Sequence, residues 1–378
     1  MKRIALIVIL CMLALSANSQ NLWQSVVVWL KSTSAVDSGY IYQRPARFSV
    51  DGNFNMKNFI VDINSKYTLK VDNSTVTTPA TESAWVPAKS TMSFSGGVKN
   101  GLGVGVGYGN LGLGYSFNIG ANDKKSSSSF NLALKGHKWG VGINILWLNH
   151  YAHSSSTIDS EGGRWYRQES LVSSQPCDVF RMSLDAYWTL NRGKFAYTAA
   201  YKCGMVQRRS AGSFLIGGNL LLSGVFCDEK DEVFVNTGLR DYFFTQASVG
   251  AGYSYNVVLL HRDPTGPNSA GLRNVTLNAT LLPLLNWSNG IYVTPHGDKE
   301  AVRLACPISP NLNGSVAVSY SLGRMFFSLQ YAHNLLYFRN DNDWADDDEI
   351  YQTNTIKDFT FNVLAQDWSM KAMFVYNF

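Results

Sequence analysis

Few residues of this chain have the type and spacing that catalysis or metal binding requires. Of the six histidines, only His150 and His153 lie close together in the sequence. Two histidines three apart on a helix could share a metal ion, but these two end an alternating strand and enter a polar loop. We therefore expect surface histidines here and no metal site.

An acidic segment near the C-terminus is a second candidate, because calcium is a hard cation that prefers oxygen ligands. Its carboxylates are Asp341, Asp343, Asp346, Asp347, Asp348 and Glu349. The segment lacks the glycine-centred spacing of a calcium-binding hand. We expect a solvated external loop, and the sequence predicts neither a metal nor another cofactor.

No pattern typical of an enzyme is visible. The chain contains no G-x-S-x-G motif and no compact group of Ser, His and Asp. The glycine-rich run at residues 101–109 resembles a nucleotide fingerprint, but it has strict period two and no helix follows it. We expect no catalytic residues, and an outer-membrane hydrolase is kept as an alternative.

The composition restricts the classes of protein further. The formal net charge is only +5 and no Lys/Arg block is present, so nucleic acid is not an expected partner. Charged residues make up 16% of the chain, whereas soluble domains average about 25%. Beyond the N-terminus there is no apolar run of about 18 residues, which excludes a helical membrane protein. The apolar and aromatic content excludes disorder.

The N-terminus has the pattern of a bacterial export signal. Lys2 and Arg3 precede an apolar stretch, residues 4–15, and small residues follow. We predict a signal peptide at residues 1–19. Beyond it stand Cys177, Cys203, Cys227 and Cys306. Export permits disulfides, but the spacings match no zinc or redox motif and free thiols are expected.

Strict alternation is the strongest signal, and the hairpin at residues 101–117 displays it best. Leu102, Val104, Val106 and Tyr108 alternate with glycines, and Gly109-Asn110 then supplies a tight turn. Pairing across that turn sets Tyr108 opposite Leu111 and Val104 opposite Tyr115. One face is wholly apolar, and the other is glycine and serine.

The same pattern recurs along the chain, and the question is what covers the apolar face. A soluble sandwich would cover it with a second sheet and would carry Lys, Glu and Thr on the other face. Here the other face is Gly, Ser, Asn and Ala, and aromatic residues lie near strand ends, at Trp139, Trp147, Trp188, Tyr201 and Tyr337. Strands of about ten residues with aromatic girdles are typical of a transmembrane β-barrel.

We therefore predict an all-β fold, a closed antiparallel transmembrane β-barrel with 12 strands favoured and 14 possible, because bacterial barrels usually have an even number. The predicted strands include residues 46–54, 58–69, 359–363, one from Phe195 and one from Trp368. The barrel domain is residues 45–378. Residues 20–44 form a preceding segment that is periplasmic or lines the lumen, and the long polar connections are expected outside the cell.

The inward faces of the strands supply the candidate lumen-facing charges, Lys135, Arg181, Asp185, Lys202 and Lys371. Arg181 and Asp185 lie four apart on one strand, about 13 Å at the usual rise, so they are not expected to pair with each other. Such charges would pair across strands or tune a pore. The inward glycines would either admit the 20–44 segment or ease sheet curvature.

The C-terminal strand has alternate apolar residues ending at Phe374, Tyr376 and Phe378. This ending resembles the assembly signal of outer-membrane barrels. Other segments resemble an uncharacterised family of exported bacterial β-barrels, known as domain of unknown function four-four-two-one. They are residues 40–48, the hairpin end Gly114-Tyr115-Ser116-Phe117 and, most specifically, residues 191–215 with Ser210-Ala211-Gly212-Ser213-Phe214. The resemblance implies a barrel in the outer membrane and assigns no activity.

The expected protein is thus a barrel of the bacterial outer membrane, acting as a narrow channel or as a structural or partner-binding barrel. Its expected partners are outer-membrane lipids, the barrel-assembly machinery and an unidentified solute or envelope component. A soluble secreted all-β binding protein is the other alternative. The sequence leaves open the solute, the oligomeric state and whether the lumen is plugged.

Overall fold

The structure is a computed structural model. It describes residues 36–71, 84–95, 98–119, 128–160, 169–172, 177–191, 193–226, 239–266, 269–295, 302–306, 308–340 and 356–378. The predicted signal peptide, residues 1–19, and the acidic segment of residues 341–349 lie outside the described residues.

Twelve long antiparallel strands form the wall. They are β2 (Phe48–Val71), β4 (Lys99–Tyr108), β5 (Leu111–Asn118), β6 (Ser128–Lys135), β7 (Trp139–Ser160), β9 (Cys177–Thr189), β11 (Ala211–Phe226), β12 (Leu239–Arg262), β13 (Arg273–Pro295), β15 (Ser309–Leu322), β16 (Met325–Asn340) and β17 (Ile356–Asn377). Each pairs with its neighbour in chain order, and β17 pairs with β2 to close the ring. The predicted closed barrel of 12 strands is confirmed.

Five further strands are present in the described residues. They are β1 (Ile41–Gln43), β3 (Ala84–Ser95), β8 (Glu169–Val172), β10 (Met205–Gln207) and β14 (Val302–Cys306). Strand β3 pairs with both β2 and β7. Next to residues 60–71 of β2 and 153–160 of β7, strand β3 therefore takes the place in the ring that β4, β5 and β6 occupy nearer the short turns. Strands β3, β8 and β14 lie in connections that we predicted to be polar loops.

The two faces of the wall follow the predicted alternation. Tyr108 pairs with Leu111 and Val104 with Tyr115, in the expected register. Val104 is 61% exposed and Phe374 is 40% exposed, so both lie on the outside of the ring. In the described chain, no second protein layer covers this apolar face. A closed barrel in a membrane leaves its outer face uncovered by protein, because that face meets lipid.

Two long strands were predicted as two pieces each. Strand β2 runs without a break through residues 54–58, where Asn55 and Lys57 point inward. Strand β17 likewise runs through Gln366 and Asp367 to the C-terminal strand that was predicted from Trp368. Polar residues that point inward interrupt the apolar pattern in the sequence, so each strand was predicted as two. The lumen accommodates these residues because polar groups line it.

The strand predicted from Phe195 is wrong, and this is the main departure from the expected fold. Residues 193–210 leave the wall, form a 3₁₀ turn at Tyr197–Ala200 and pair β10 with β1 in a separate two-stranded sheet. Phe195 and Ala196 are completely buried. Residues 36–47 and 193–210 together are called the plug below. Tyr201, expected in an aromatic girdle, therefore belongs to the plug.

Candidate functional site

The plug is held together by the side chain of Gln207, which is fully buried. Its amide nitrogen donates to the carbonyl oxygens of Lys194, at 2.6 Å, and of Arg209, at 2.9 Å. It also donates to the carbonyl of Tyr40 at 3.2 Å. Its side-chain oxygen accepts from the backbone N–H of Ala196 at 2.9 Å. One glutamine thus joins both chain segments of the plug.

Asparagines of the wall fasten the plug to strands β12 and β13. The amide of Asn256 donates to the Ala196 carbonyl at 2.8 Å, and that of Asn274 donates to the Gln207 carbonyl at 2.8 Å. Both asparagines are buried. Buried backbone groups of an irregular segment need such partners, since each group left unpaired costs about 1–3 kcal/mol.

Strands β13, β15 and β16 hold the other end of the plug. The Tyr201 hydroxyl donates to the side-chain oxygen of Asn278 at 2.7 Å and lies 2.9 Å from the Ser315 hydroxyl. Ser328 donates to the Ala200 carbonyl at 2.7 Å. Together with Asn256 and Asn274, these contacts place the plug against one side of the barrel interior.

The C-terminal strand also meets the plug, at Cys203. The Asn377 amide lies 2.8 Å from the Cys203 sulfur, and the thiol packs with Phe326 and Val375. Burial raises the pKa of this thiol, against a smaller opposing effect of Arg44. Cys203 is a free thiol, as expected. The side chains of Cys177, Cys227 and Cys306 lie outside the described residues.

The facing side of the lumen is lined by glycines of β4 and β5. A Cβ atom on Gly103 would overlap the side chain of Asn53, and one on Gly105 would overlap that of Asp51. On Gly112 it would lie 3.1 Å from the ammonium nitrogen of Lys202. The inward glycines therefore make room for side chains that lie across the wall. Contact of these glycines with the 20–44 segment stays a prediction, because residues 20–35 lie outside the described residues.

The three predicted lumen-facing lysines are called the lysine cluster, because Lys202 lies beside this glycine wall and is close enough to Lys135 and Lys371 for their charges to act on it. Lys135 enters from β6 and Lys371 from β17, whereas Lys202 extends from the plug. The carbonyl oxygen of Asn110 accepts from the Lys135 backbone N–H at 3.0 Å and from the Lys202 ammonium at 3.3 Å.

The charge state of Lys202 depends on its burial and on the charged groups around it. Its pKa is lowered to about 7, chiefly by burial and then by the positive charges of Lys135 and Lys371, while Asp51 acts in the opposite direction. The three ammonium groups therefore repel one another in a partly dehydrated space, where charges interact more strongly than in water.

The other two predicted lumen residues have partners of their own. Arg181 on β9 forms an ion pair with Asp367 on β17. These strands are not neighbours in the ring, so the pair spans the lumen. Asp185 accepts from Asn219 at 2.5 Å and from Ser183 at 3.1 Å.

Sequence reasoning missed Asp51, Lys57 and Asp367. The signal was present in β2, where Asp51, Asn53, Asn55 and Lys57 alternate with outward residues. The hydrogen bonds from Asn53 to Asp51, 3.1 Å, and from Asn55 to Asn53, 2.5 Å, join three of them into a polar ladder. The ammonium of Lys57 donates to Ser129 on β6 at 3.2 Å.

The C-terminal residues of the predicted assembly signal close the ring. The Phe378 backbone N–H donates to the Phe48 carbonyl at 3.0 Å, and its ring contacts that of Tyr376 with centroids 5.2 Å apart. Phe374 packs on Phe327 across the β16–β17 pair, with centroids 4.9 Å apart. Phe374 and Phe378 are exposed on the outside of the barrel.

The described part of the chain brings together no group of three or more His, Cys, Asp or Glu side chains that could hold a metal ion. The side chains of His150 and His153 lie outside what the structure describes. Within the described ranges, no helix has the length and apolar character to cross a membrane.

A closed ring of 12 antiparallel strands with an apolar exterior, a polar interior and an internal plug defines the class of outer-membrane β-barrel proteins. The chain belongs to the family described as Domain of unknown function (DUF4421), whose model matches residues 36–363. No curated protein matches the chain significantly.

Solved structures of other barrels resemble the chain at low identity. A bacterial polysaccharide outer membrane secretin is 9% identical over 87% of this chain and 98% of its own, with a TM-score of 0.30. The outer membrane protease OmpT from Escherichia coli is 6% identical over 87% and 97%, with a TM-score of 0.33. The P. putida toluene transporter TodX is 9% identical over 89% and 91%, with a TM-score of 0.23. Likenesses of this level concern the fold alone.

Proposed function

We propose that this protein is a narrow channel of the bacterial outer membrane, restricted at one mouth by its plug. The observation that carries the proposal is the asymmetry of the interior. The plug is bonded to side chains of β12, β13, β15 and β16. On the opposite side it bonds to the turn at Gly109-Asn110, and strands β4 and β5 themselves present glycines. A purely structural barrel has no need of a wall without side chains beside charged groups.

The plug lies at the end of the barrel that carries the short turns. The turn at Gly109-Asn110 and the turn at Gly323, with φ +53°, are at the same end as Phe48 and Phe378. Short turns face the periplasm in bacterial barrels and the longer connections face outward. In the proposed orientation a solute enters from outside and reaches the plug, with Lys202, near the periplasmic end of the lumen.

Conductance of the purified protein in planar bilayers tests the channel. We expect small stepwise currents, and a larger unit conductance after a deletion of residues 193–210 that is bridged by a short Gly-Ser linker. Absence of current from both proteins, when both are folded, would rule the channel out. Extraction of the native protein from cell envelopes by carbonate without detergent would rule out the membrane location.

A structural or partner-binding barrel is the second candidate, and the dense bonding of the plug favours it. Gln207 alone takes part in five hydrogen bonds through its side chain. Such a barrel would keep its plug and carry no current. Deletion of the gene for the whole protein would weaken the cell envelope.

We propose that neither role is enzymatic. A hydrolase would need a nucleophile or an activated water beside a base. Assays on lipid and peptide panels test this, with the native protein compared with a variant carrying His150→Ala and His153→Ala. Turnover that those changes abolish would contradict the proposal.

A further inference from the structure

The strongest unassigned feature of the interior is the lysine cluster. We propose that Lys135, Lys202 and Lys371 form a binding site for a small oxyanion, such as inorganic phosphate, on the path through the barrel. The inference deepens the proposed channel function, on which it rests, because it assigns the class of solute that the interior selects.

The position of the Lys202 side chain is the first support. Lys202 extends from the plug toward β5 and β6, and its ammonium donates to the same Asn110 carbonyl that the Lys135 backbone holds. That carbonyl accepts one of the three protons of the ammonium, so two remain for another acceptor. Lys135 and Lys371 donate no hydrogen bond from their ammonium groups to any described residue.

The balance of charge is the second support. Asp51 is the carboxylate that acts on both Lys202 and Lys371, and Asp185 acts on Lys135. Asp51 and Asp185 each accept hydrogen bonds from other residues, Asp51 from Asn53 and Asp185 from Asn219. The remaining interior acid of this region, Asp367, pairs with Arg181. The three lysines thus face two carboxylates, Asp51 and Asp185, which leaves an excess of positive charge in the cluster.

The space beside the cluster is the third support. The inward face of β4 and β5 carries Gly105, Gly107, Gly112 and Gly114. Side chains of other residues lie over the first three, whereas none lies within 4 Å of the Cβ position of Gly114. The Cβ position of Gly114 has only one backbone oxygen near it, at 3.8 Å. An ion of a few atoms, coordinated by ammonium groups that are flexible point charges, suits such a place.

Oxyanions suit this cluster better than cations or neutral solutes do. Charge-assisted hydrogen bonds from ammonium to oxygen are about twice as strong as neutral ones. A bound anion also removes the repulsion among the lysines. It would raise the pKa of Lys202, because it favours the charged form.

Two readouts on the full-length protein test the site. The first is the reversal potential in planar bilayers under a KCl gradient, with and without inorganic phosphate. The second is phosphate binding to the purified protein in detergent, measured by calorimetry, which needs no current. The variants are Lys202→Gln and the triple variant Lys135→Gln, Lys202→Gln and Lys371→Gln. The matched control is Lys194→Gln, a plug lysine that lies over the ring of Tyr40.

We expect the native protein to favour anions, to bind phosphate and to be blocked by it. In Lys202→Gln phosphate affinity should fall by about tenfold, equivalent to about 1.4 kcal/mol, and Lys194→Gln should behave as the native protein does. The heat-dependent shift of folded barrels on gels shows that each variant is folded. If the triple variant does not fold, the plug variant Lys202→Gln decides the matter.

The outcomes separate the site from the channel. Phosphate binding that Lys202→Gln weakens, without current, would support the site and contradict the channel. Current that is not anion-selective, together with no phosphate binding, would support the channel and overturn the site. Binding that is equally strong in Lys202→Gln and in the native protein would also overturn the site.

Discussion

The side-chain amide of Asn256 on the barrel wall lies 3.2 Å from the side-chain oxygen of Gln207 on the plug, and both residues are completely buried. The two are 49 residues apart in the sequence. This contact joins the plug of the proposed channel to its wall. It is therefore the first place to test the role of the plug.

Removal of either partner should loosen the plug. Asn256→Ala or Gln207→Ala leaves buried plug groups unpaired, at a cost of about 1–3 kcal/mol each. We expect lower urea midpoints, faster proteolysis within residues 193–210 and larger or noisier unit currents. The control is Asn144→Ala, which loses only a hydrogen bond from Asn131 that is exposed. Unchanged proteolysis of both plug variants would contradict this role.

The close approach of β12 to β13 should make Gly252 intolerant of a side chain. A Cβ atom there would overlap the Leu281 carbonyl oxygen, which is backbone and cannot move aside. Gly252→Ala should destabilise the barrel by about 1–3 kcal/mol, as overpacking does. The control is Gly52→Ala, because a Cβ at Gly52 has nothing within 4 Å. Urea unfolding in lipid vesicles measures both, and equal midpoints would refute the prediction.

A charge on the outer face should be poorly tolerated. Val104 lies at the middle of the span of β4 and is 61% exposed. Val104→Arg at the bilayer midplane should cost about 2–4 kcal/mol. The matched change Asn144→Arg places the same charge on the inner face and should cost less. Folding yield into lipid vesicles compares them, and equal yields would argue against a lipid-facing exterior.

The lowered pKa of Lys202 predicts a pH dependence of stability. In the folded protein this group loses its proton near pH 7, because its pKa is lowered to about 7 from the ordinary 10.5. Between these two values the unfolded chain binds more protons, so the free energy of unfolding should rise with pH. Lys202→Met should abolish this part of the slope.

Urea midpoints across that pH range measure the effect. Lys202 faces Lys135, Lys371 and Asp51 from the wall, so Lys194→Met is the control for a general effect of lost charge. A slope that is equal in both variants and in the native protein would disprove the assignment to Lys202.

The C-terminal residue should matter for assembly in cells more than for stability. Phe378→Ala removes an exposed ring that contacts Tyr376. We expect most of the protein to be lost from the outer membrane, while refolding in detergent stays close to that of the native protein. The control is Phe117→Ala, another exposed outward aromatic. Normal membrane levels of Phe378→Ala would contradict a role as an assembly signal.

Much of the wall could be predicted because its signal is local. Tyr108 opposite Leu111 and Val104 opposite Tyr115 follow from turn position and alternation, and both pairs are present. The longer strands β2 and β17 were harder, since Asn55 and Asp367 break the apolar run. Polar residues at these two positions are explained only once the inside of the ring is known to be a polar lumen.

The plug could not be predicted in this way. Phe195, Tyr197, Ala199 and Tyr201 alternate as a strand does, and a strand is what period two predicts. The carbonyl oxygens of Ala196, Ala199, Ala200 and Tyr201 instead accept hydrogen bonds from Asn256, Ser319, Ser328 and Gln330 respectively. The spacing of residues in the sequence does not predict these partners, because they lie on strands that are distant along the chain.

The amino-acid sequence by itself determined which side of each strand meets lipid and, through alternation and short turns, that the strands form a ring. Only the tertiary structure decided what occupies the interior. The physical reason is that alternation is a property of neighbouring residues. The grouping of Lys135, Lys202 and Lys371 instead depends on ring closure and on the path of the plug, which bring distant segments together.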